Sequence, residues 1–459
     1  MSRPSATPSA PASPSLSTHL HPAVGASLLG GRPELCIKSA AADRLRRGAT
    51  QLRRDDILTG AADAVPGQVV WLRDDRGRPH GSALLAAPGP TPLFARLFDR
   101  DGADLDRAQL LHRLQAADAL RRSLLWNVPA VASTGPDGDP GERRDAYRMV
   151  HGEADGLPGL FIDRYGDAAV LQTATAAMDA RKDLIAELLV GPLGCRLVVC
   201  RDDGSARDLE ALPRNRGVLR DLRAPQSRGE HPTQVTFHDA GSRMQADLLT
   251  DRKTGSFLDQ QENHAVAAAY ARALTRTTRT GTATALDAFT YHGGFALALA
   301  RAGLRVTACD EDRDAIARAR HNATLCGVDV DFRVANSVDL LRRLEADRAG
   351  FDVVVVDPPA LAKRGRDRGH DDGAAWMRAY KELNLRAIRL LSPGGLLVTC
   401  SCSGRVSASQ FGELISAAAE GGGRRLQLLE RRGAGRDHPV LIGWSDSEYL
   451  KCWVLRALD

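Results

Sequence analysis

An α/β fold built on a doubly wound, mainly parallel sheet is predicted for the carboxyl-terminal half of this 459-residue chain. Two features predict it. From Thr284 onward, short apolar strands alternate with helical segments, the order that builds a parallel sheet covered on both faces. Four polar residues, Asp287, Asp310, Asp357 and Cys402, end or follow four of those strands, and such sheets bind ligands at their carboxyl edge. A polar set spread over four strands at that edge predicts a binding or active site.

The stretch from Thr284 to Asp310 reads as strand, glycine turn, helix and strand. Gly293 and Gly294 let the backbone pass where a side chain would collide with a ligand. The helix from Phe295 to Ala302 closes at Gly303, a left-handed cap, and the strand from Arg305 to Cys309 delivers Asp310. A carboxylate there accepts both hydroxyls of a ribose. The GxGxxG fingerprint is absent, so a ligand with a ribose but no pyrophosphate is favoured, and S-adenosylmethionine is such a ligand. The alternative is an ordinary turn whose glycines serve packing.

Upstream, residues 1–32 are rich in Ser, Pro and Ala and read as a disordered tail. Leu35–Ile37, Val69–Leu72, Ser82–Ala86 and Leu93–Leu97 alternate with Gly, Pro and Asp turns, as in a small β-barrel-like module. The segment Arg44 to Arg54 carries five arginines, either a phosphate contact or a solvated face. Leucines from Leu110 to Leu124 predict a helix over 105–125, and Val131–Arg144 a loop. Two or three strands follow over Asp145–Gln172, then a helix at Asp179–Leu189 and a strand at Arg196–Cys200. Asp202–Pro232 reads as an irregular connection and a domain boundary. Gln234–Leu249 is a hairpin, and Arg252–His264 leads into an Ala-rich helix.

Composition narrows the classes. A net charge of +5 and a pI near 8.8 permit nucleic-acid binding without demanding it. The 8 cysteines form no paired CxxC motifs, so neither a disulfide framework nor a metal site is expected, and a reducing cytoplasm fits. No apolar run approaches the roughly 20 residues of a membrane span, so no membrane partner is expected.

Cys402 sets the reaction apart. A cysteine that follows a strand at this edge can act as a thiolate nucleophile. The plain alternative for a cysteine is a small buried hydrophobe, which is the reading for Cys400. Asp357 is placed to orient a base, with Pro358 and Pro359 fixing its loop and Lys363 either steering phosphate or belonging to a solvated basic loop.

The motifs DGLPGLFIDRYGD (155–167), KTGSFLDQQEN (253–263), DAFTYHGGF (287–295), DPPALAK (357–363) and SCS (401–403), with DHPV and EYLK near the end, resemble the bacterial 23S ribosomal RNA cytosine-5 methyltransferases of the RlmI type. The resemblance spans nearly the whole chain after the tail. It implies a PUA-like RNA-binding β-barrel domain at 33–104, a central mixed α+β domain at 105–232 and a Rossmann-like class I methyltransferase domain at 233–459. It also implies S-adenosylmethionine as cofactor, with Asp287, Gly293 and Gly294 at its methionyl half, Asp310 at its ribose, Asn336 at its adenine, Asp259 and Gln260 closing over it, and Phe289 among the cofactor-binding residues. For Cys402 the resemblance implies a thiolate that adds to carbon 6 of cytosine and so activates carbon 5, a poor nucleophile, whereas nitrogen methylation needs no such group. The implied partner is 23S rRNA or a large-subunit assembly intermediate, with a homodimer compatible. Asn336 stands where the family usually carries Asp and Gln261 where it commonly has Arg, and the aromatic HPW-type stretch after Arg47 is missing. The rivals are methylation of another RNA position, such as guanine N7, and an inactive ribosome-assembly RNA-binding protein.

Overall fold

Six short strands form the first sheet of the computed structural model, which describes residues 33–60, 65–126, 144–225, 231–278, 282–361, 373–444 and 447–458. The expected tail, most of the expected 131–144 loop, and Lys363 lie outside them. These strands are β1 (Glu34–Ile37), β2 (Gln51–Arg53), β3 (Ile57–Thr59), β4 (Val69–Asp74), β5 (Pro79–Leu85) and β6 (Leu93–Asp99), with α1 (Ser39–Arg46) after β1. Their order is β2-β6-β5-β4-β1-β3, curled into a half-barrel, with β1 parallel to β4 and the other pairs antiparallel. The arginine-rich segment from 44 to 54 falls on α1, β2, the turn between them and, at Arg54, the start of the 3-10 turn after β2.

The next segment contains α2 (Arg107–Trp126), β7 (Ala146–His151), β8 (Leu160–Tyr165), β9 (Ala168–Thr173), α3 (Ala176–Asp179), α4 (Lys182–Val190), β10 (Leu197–Asp202) and β11 (Asn215–Asp221). Its sheet runs β11-β10-β9-β8-β7. The stretch 202–232, expected to be irregular, contains β11, antiparallel to β10. The sequence NRGVLRD conceals an edge strand, because neither of its faces is regularly apolar and none of its residues is fully buried. One face of this sheet packs with Val69, Leu84, Phe98 and α2, and the other with the hairpin and helices that follow. Burial on both sides explains why β9 and β10 read as nearly continuous apolar runs.

A hairpin, β12 (Gln234–Asp239) and β13 (Ser242–Asp247), turns at Ala240 and Gly241, both with positive φ, as a two-residue turn requires. Then come α5 (Gln261–Thr278), β14 (Thr284–Asp287), α6 (Gly294–Arg301), β15 (Arg305–Asp310), α7 (Arg313–Cys326), β16 (Asp331–Val334), α8 (Ser337–Ala346), β17 (Phe351–Val356), α9 (Gly373–Arg389), β18 (Leu391–Ser401), α10 (Ala408–Gly421), β19 (Leu426–Arg432) and β20 (Lys451–Ala457). The local signals are physical. Asp312 caps α7 by accepting from the Asp314 and Ala315 N–H groups, and Gly327 ends it at φ +63°. The run FDVVVV is almost wholly buried, as a central parallel strand demands.

The sheet order is β16-β15-β14-β17-β18-β20-β19, parallel from β16 to β18 and antiparallel at β20 and β19. Chain direction across the sheet reverses between β14 and β17, so a crevice opens at their carboxyl ends. No helix among the described residues is long and apolar enough to cross a membrane.

Candidate active site

The carboxyl edge of the sheet lines up four side chains in spatial order: Asp310 on β15, Asp287 on β14, Asp357 after β17 and Cys402 after β18. Above them lies a cleft of about 440 Å³. Phe289, Gly294, Asp310, Asn336, Asp259, Gln260, Asp357, Pro358, Pro359 and Cys402 line it, as do Lys253, Phe257, His264 and Tyr291. Asp287 sits beneath the floor, fully buried. Gly293 is also off the wall; at φ +95° it starts α6 and packs against Leu297.

Each of these groups is held differently. The Asp310 carboxylate accepts from the Tyr291 N–H and the Asp312 N–H, both at 3.0 Å, which fixes it at the rim. Tyr291 itself takes φ +47°, and its ring stacks on His292 with centroids 3.7 Å apart. Lys253, another cleft residue at positive φ, donates to Asp259 Oδ2 at 3.2 Å. Strained non-glycine backbone of this kind is held in place by its surroundings and gathers at functional sites. Asn336 lines the cleft, and its amide oxygen accepts from the Val338 and Asp339 N–H groups, capping α8. Gln261, where the family commonly has Arg, is buried with both ends of its carboxamide unpartnered.

Four carboxylates and one imidazole share the interior. Burial pushes Asp287 up to about 6, against the Phe289 N–H and His264. Burial and the neighbouring Asp259 charge push Asp357 up to about 7, although Gln260 Nε2 donates to its Oδ2 at 2.9 Å. Asp259 moves the other way: burial would raise it, but Lys253, His438 and the Tyr449 hydroxyl, at 2.6 Å, hold it below the usual range. His264 bonds Asp239 at 2.9 Å, and despite burial it is raised by Asp239, Asp357 and Asp287. A Cβ on Gly294 would overlap the His264 ring.

Cys402 is half-buried, its Sγ 3.9 Å from the Pro358 carbonyl. Burial, then Asp357, pushes its thiol up to about 11, against the pull of Lys253. Lys451, buried behind it, donates to the Ser403 carbonyl at 2.6 Å and the Tyr449 carbonyl at 2.9 Å. Lys253, His264, Tyr291 and Tyr449 escaped the sequence reading as site residues. The KTGSFLDQQEN motif carried the signal for Lys253 and the EYLK motif that for Tyr449, but nothing local paired Tyr449 with Asp259, 190 positions away.

A scan against protein-family models matches residues 224–436 to an S-adenosylmethionine-dependent methyltransferase family. Ribosomal RNA large subunit methyltransferase I of Aeromonas salmonicida is 34% identical over 399 residues, covering 86% of this chain and 91% of its own. That of Aliivibrio fischeri is 32% identical over 365 residues, covering 79% and 83%. The chain belongs to the ribosomal RNA large subunit methyltransferase I family. A methyltransferase structure from Streptococcus mutans, 19% identical, superposes with a TM-score of 0.69 over 92% of this chain and all of that one. A methyltransferase solved with S-adenosylhomocysteine superposes at 0.71, again at 19% identity, and both show the fold.

As a member of the large subunit methyltransferase I family, the protein is an S-adenosylmethionine-dependent methyltransferase. The residues present fit that cofactor. The cleft pairs apolar walls with a rim carboxylate at Asp310, and the buried Asp259 Oδ1 and Asp287 Oδ2 have no hydrogen-bond partner. Among the described residues, no cluster of His, Cys, Asp and Glu is placed to hold a metal ion.

Proposed function

We propose that the chain methylates carbon 5 of a cytosine in 23S ribosomal RNA through a covalent bond to Cys402. The observation that carries this reading is the adjacency of Cys402 and Asp357 on neighbouring strands at one end of the cleft, with Asp310 at the other. When bound, S-adenosylmethionine supplies an electrophilic methyl group. Asp310 holds its ribose, Phe289 and the Gly294 backbone flank its methionyl half, Asp259 and Gln260 close over it, and Asp287 supports the turn from below.

Cys402 forms a bond from Sγ to ring carbon 6, the displaced electron pair gathers at carbon 5, and carbon 5 takes the methyl group. A base removes the carbon-5 proton, and the Sγ–carbon bond then breaks to return the thiolate. Asp357, raised to about 7, keeps a proton near neutral pH. It donates that proton toward ring nitrogen 3, drawing density from carbon 6 and aiding the attack, and takes it back from nitrogen 3 when the Sγ–carbon bond breaks. Pro358 and Pro359 fix the loop beneath the base. Lys363 is assigned to RNA phosphate.

The target must leave its stack to reach Cys402, which favours a loop or opened segment of rRNA. We assign the half-barrel at 33–104 as a PUA-like RNA-binding module, 105–232 as a central domain and 233–459 as the catalytic domain, working in the cytoplasm on rRNA or an assembly intermediate. Bisulfite sequencing of 23S rRNA from cells lacking the protein, complemented with wild type or Cys402→Ala, tests the reading. One cytosine is expected to lose protection and to regain it with wild type alone; unchanged protection in the deletion strain rejects it.

A further inference from the structure

We propose that a second cavity, next to the methyl-transfer cleft, holds a nucleobase adjoining the target cytosine in the RNA; this deepens the function proposed above and rests on it. The cavity measures about 300 Å³, and Phe161, Trp444, Tyr449, His151, Gln172 and Ala206 are among its walls. Phe161, Gln172 and Trp444 are half-buried, while Gly204 and Ala206 at its edge are exposed, so it opens to solvent.

Tyr449 joins this cavity to the active site. Its side chain lines the cavity, and its hydroxyl donates to Asp259 Oδ2 at 2.6 Å, Asp259 being a wall of the cleft. A strand whose cytosine enters the cleft therefore passes its neighbour across one side-chain pair.

The chemistry of the walls selects a flat, neutral ring. Three arginines border the cavity, and all are engaged. Arg148 donates to Asp163 at 2.5 and 3.1 Å, Arg201 to the Leu248 and Asp251 carbonyls at 3.0 and 2.8 Å, and Arg207 to Asp179 at 2.8 Å and the Pro213 carbonyl at 2.9 Å. His151 is neutral: burial, then Arg148, pushes it down to about 2. Asp202, also on the wall, is taken by Lys182 and the Thr173 N–H, and with those charges satisfied the cavity offers the rings of Trp444, Tyr449 and Phe161, the last with Arg148 5.5 Å over one side; unstacked RNA bases are recognised on aromatic rings. Extruding the cytosine also strips its neighbour of a stacking partner, which these rings replace.

The test uses full-length protein and an unmodified 23S rRNA transcript. Phe161→Ala removes a stacking face, and Ala206→Trp fills the cavity from its exposed edge without cutting into the core. Methylation kinetics, transcript binding, S-adenosylmethionine affinity and thermal melting are measured for each. In both variants, Kd and KM for the transcript are expected to rise roughly tenfold or more, with kcat and S-adenosylmethionine affinity near wild type. Unchanged transcript Kd and KM in both folded variants overturn the site while leaving methylation intact. Losses shared equally by RNA and S-adenosylmethionine binding overturn it as well. If wild type binds the transcript but never methylates it, and both variants bind more weakly, the base site stands and the cytosine-5 reading falls.

Discussion

Replacing Asp287 by Asn is expected to stabilise the protein, and to do so only at pH values where the carboxylate of the unfolded chain is ionised. Asp287 is fully buried and its Oδ2 has no hydrogen-bond partner. Burial raises it from 3.8 to about 6. The folded state therefore holds its proton to higher pH than the unfolded chain does. Below about pH 4 both states are protonated and the group is neutral in its effect. As pH rises from about 4 to about 6, the unfolded state ionises first and stability falls, and above about 6 the loss is complete. At about 1.4 kcal/mol per pH unit, a shift of about two units gives a loss of about 3 kcal/mol. Asn keeps the shape and can still accept from the Phe289 N–H without ever charging. Denaturant unfolding without cofactor should show the variant more stable by up to about 3 kcal/mol at pH 7.5, with most of that gain gone at pH 4.5. An equal gain at both pH values, or a loss at pH 7.5, would refute the assignment of a buried charge.

Gly294→Ala drives a Cβ into the His264 ring, so a loss of about 1–3 kcal/mol is expected by thermal or chemical melting, together with weaker S-adenosylmethionine binding. Gly303→Ala meets open space, and its φ of +94° alone sets its cost, so cofactor affinity should be unchanged. Asp310→Asn removes the carboxylate proposed to meet the ribose, and calorimetry should show S-adenosylmethionine Kd rising roughly ten- to a hundredfold with little change in melting temperature. The pH profile of kcat/KM should rise about tenfold per unit up to about pH 7 and then level off, because thiolate gained at Cys402 is offset by the proton lost from Asp357. Asp357→Asn, which donates at every pH, should lower the rate but let the profile keep rising past 7; a plateau at the same pH would separate Asp357 from the profile.

The parallel sheet was legible because its central strands are buried on both faces, and runs such as FDVVVV have no other home. Helix ends were legible where a cap announces them, as at Gly303 and Gly327. Edge strands were not: β11 and β19 carry charged residues on half-exposed faces, and only their neighbours define them. The antiparallel end of the sheet likewise depends on pairing between β18 and β20, far apart in the chain, which no local pattern encodes. Within the site, residues at strand ends could be read from the strands. The His264–Asp239 and Tyr449–Asp259 pairs could not, since tertiary contact alone joins them. The sequence did not show that Asn336 also caps α8, because a cap and an adenine contact ask for the same side-chain oxygen.

Covalent catalysis by Cys402 is the central claim, and an RNA substrate carrying 5-fluorocytidine at the target position tests it most directly. Fluorine at carbon 5 cannot leave as a proton, so after methyl transfer the Sγ–carbon 6 bond has no route to break. With S-adenosylmethionine present, wild type is expected to give a protein–RNA adduct that survives denaturing electrophoresis, with its cross-linked peptide containing Cys402, while Cys402→Ala gives none. An adduct from Cys402→Ala, or efficient methylation of unmodified RNA by that variant, would contradict the account.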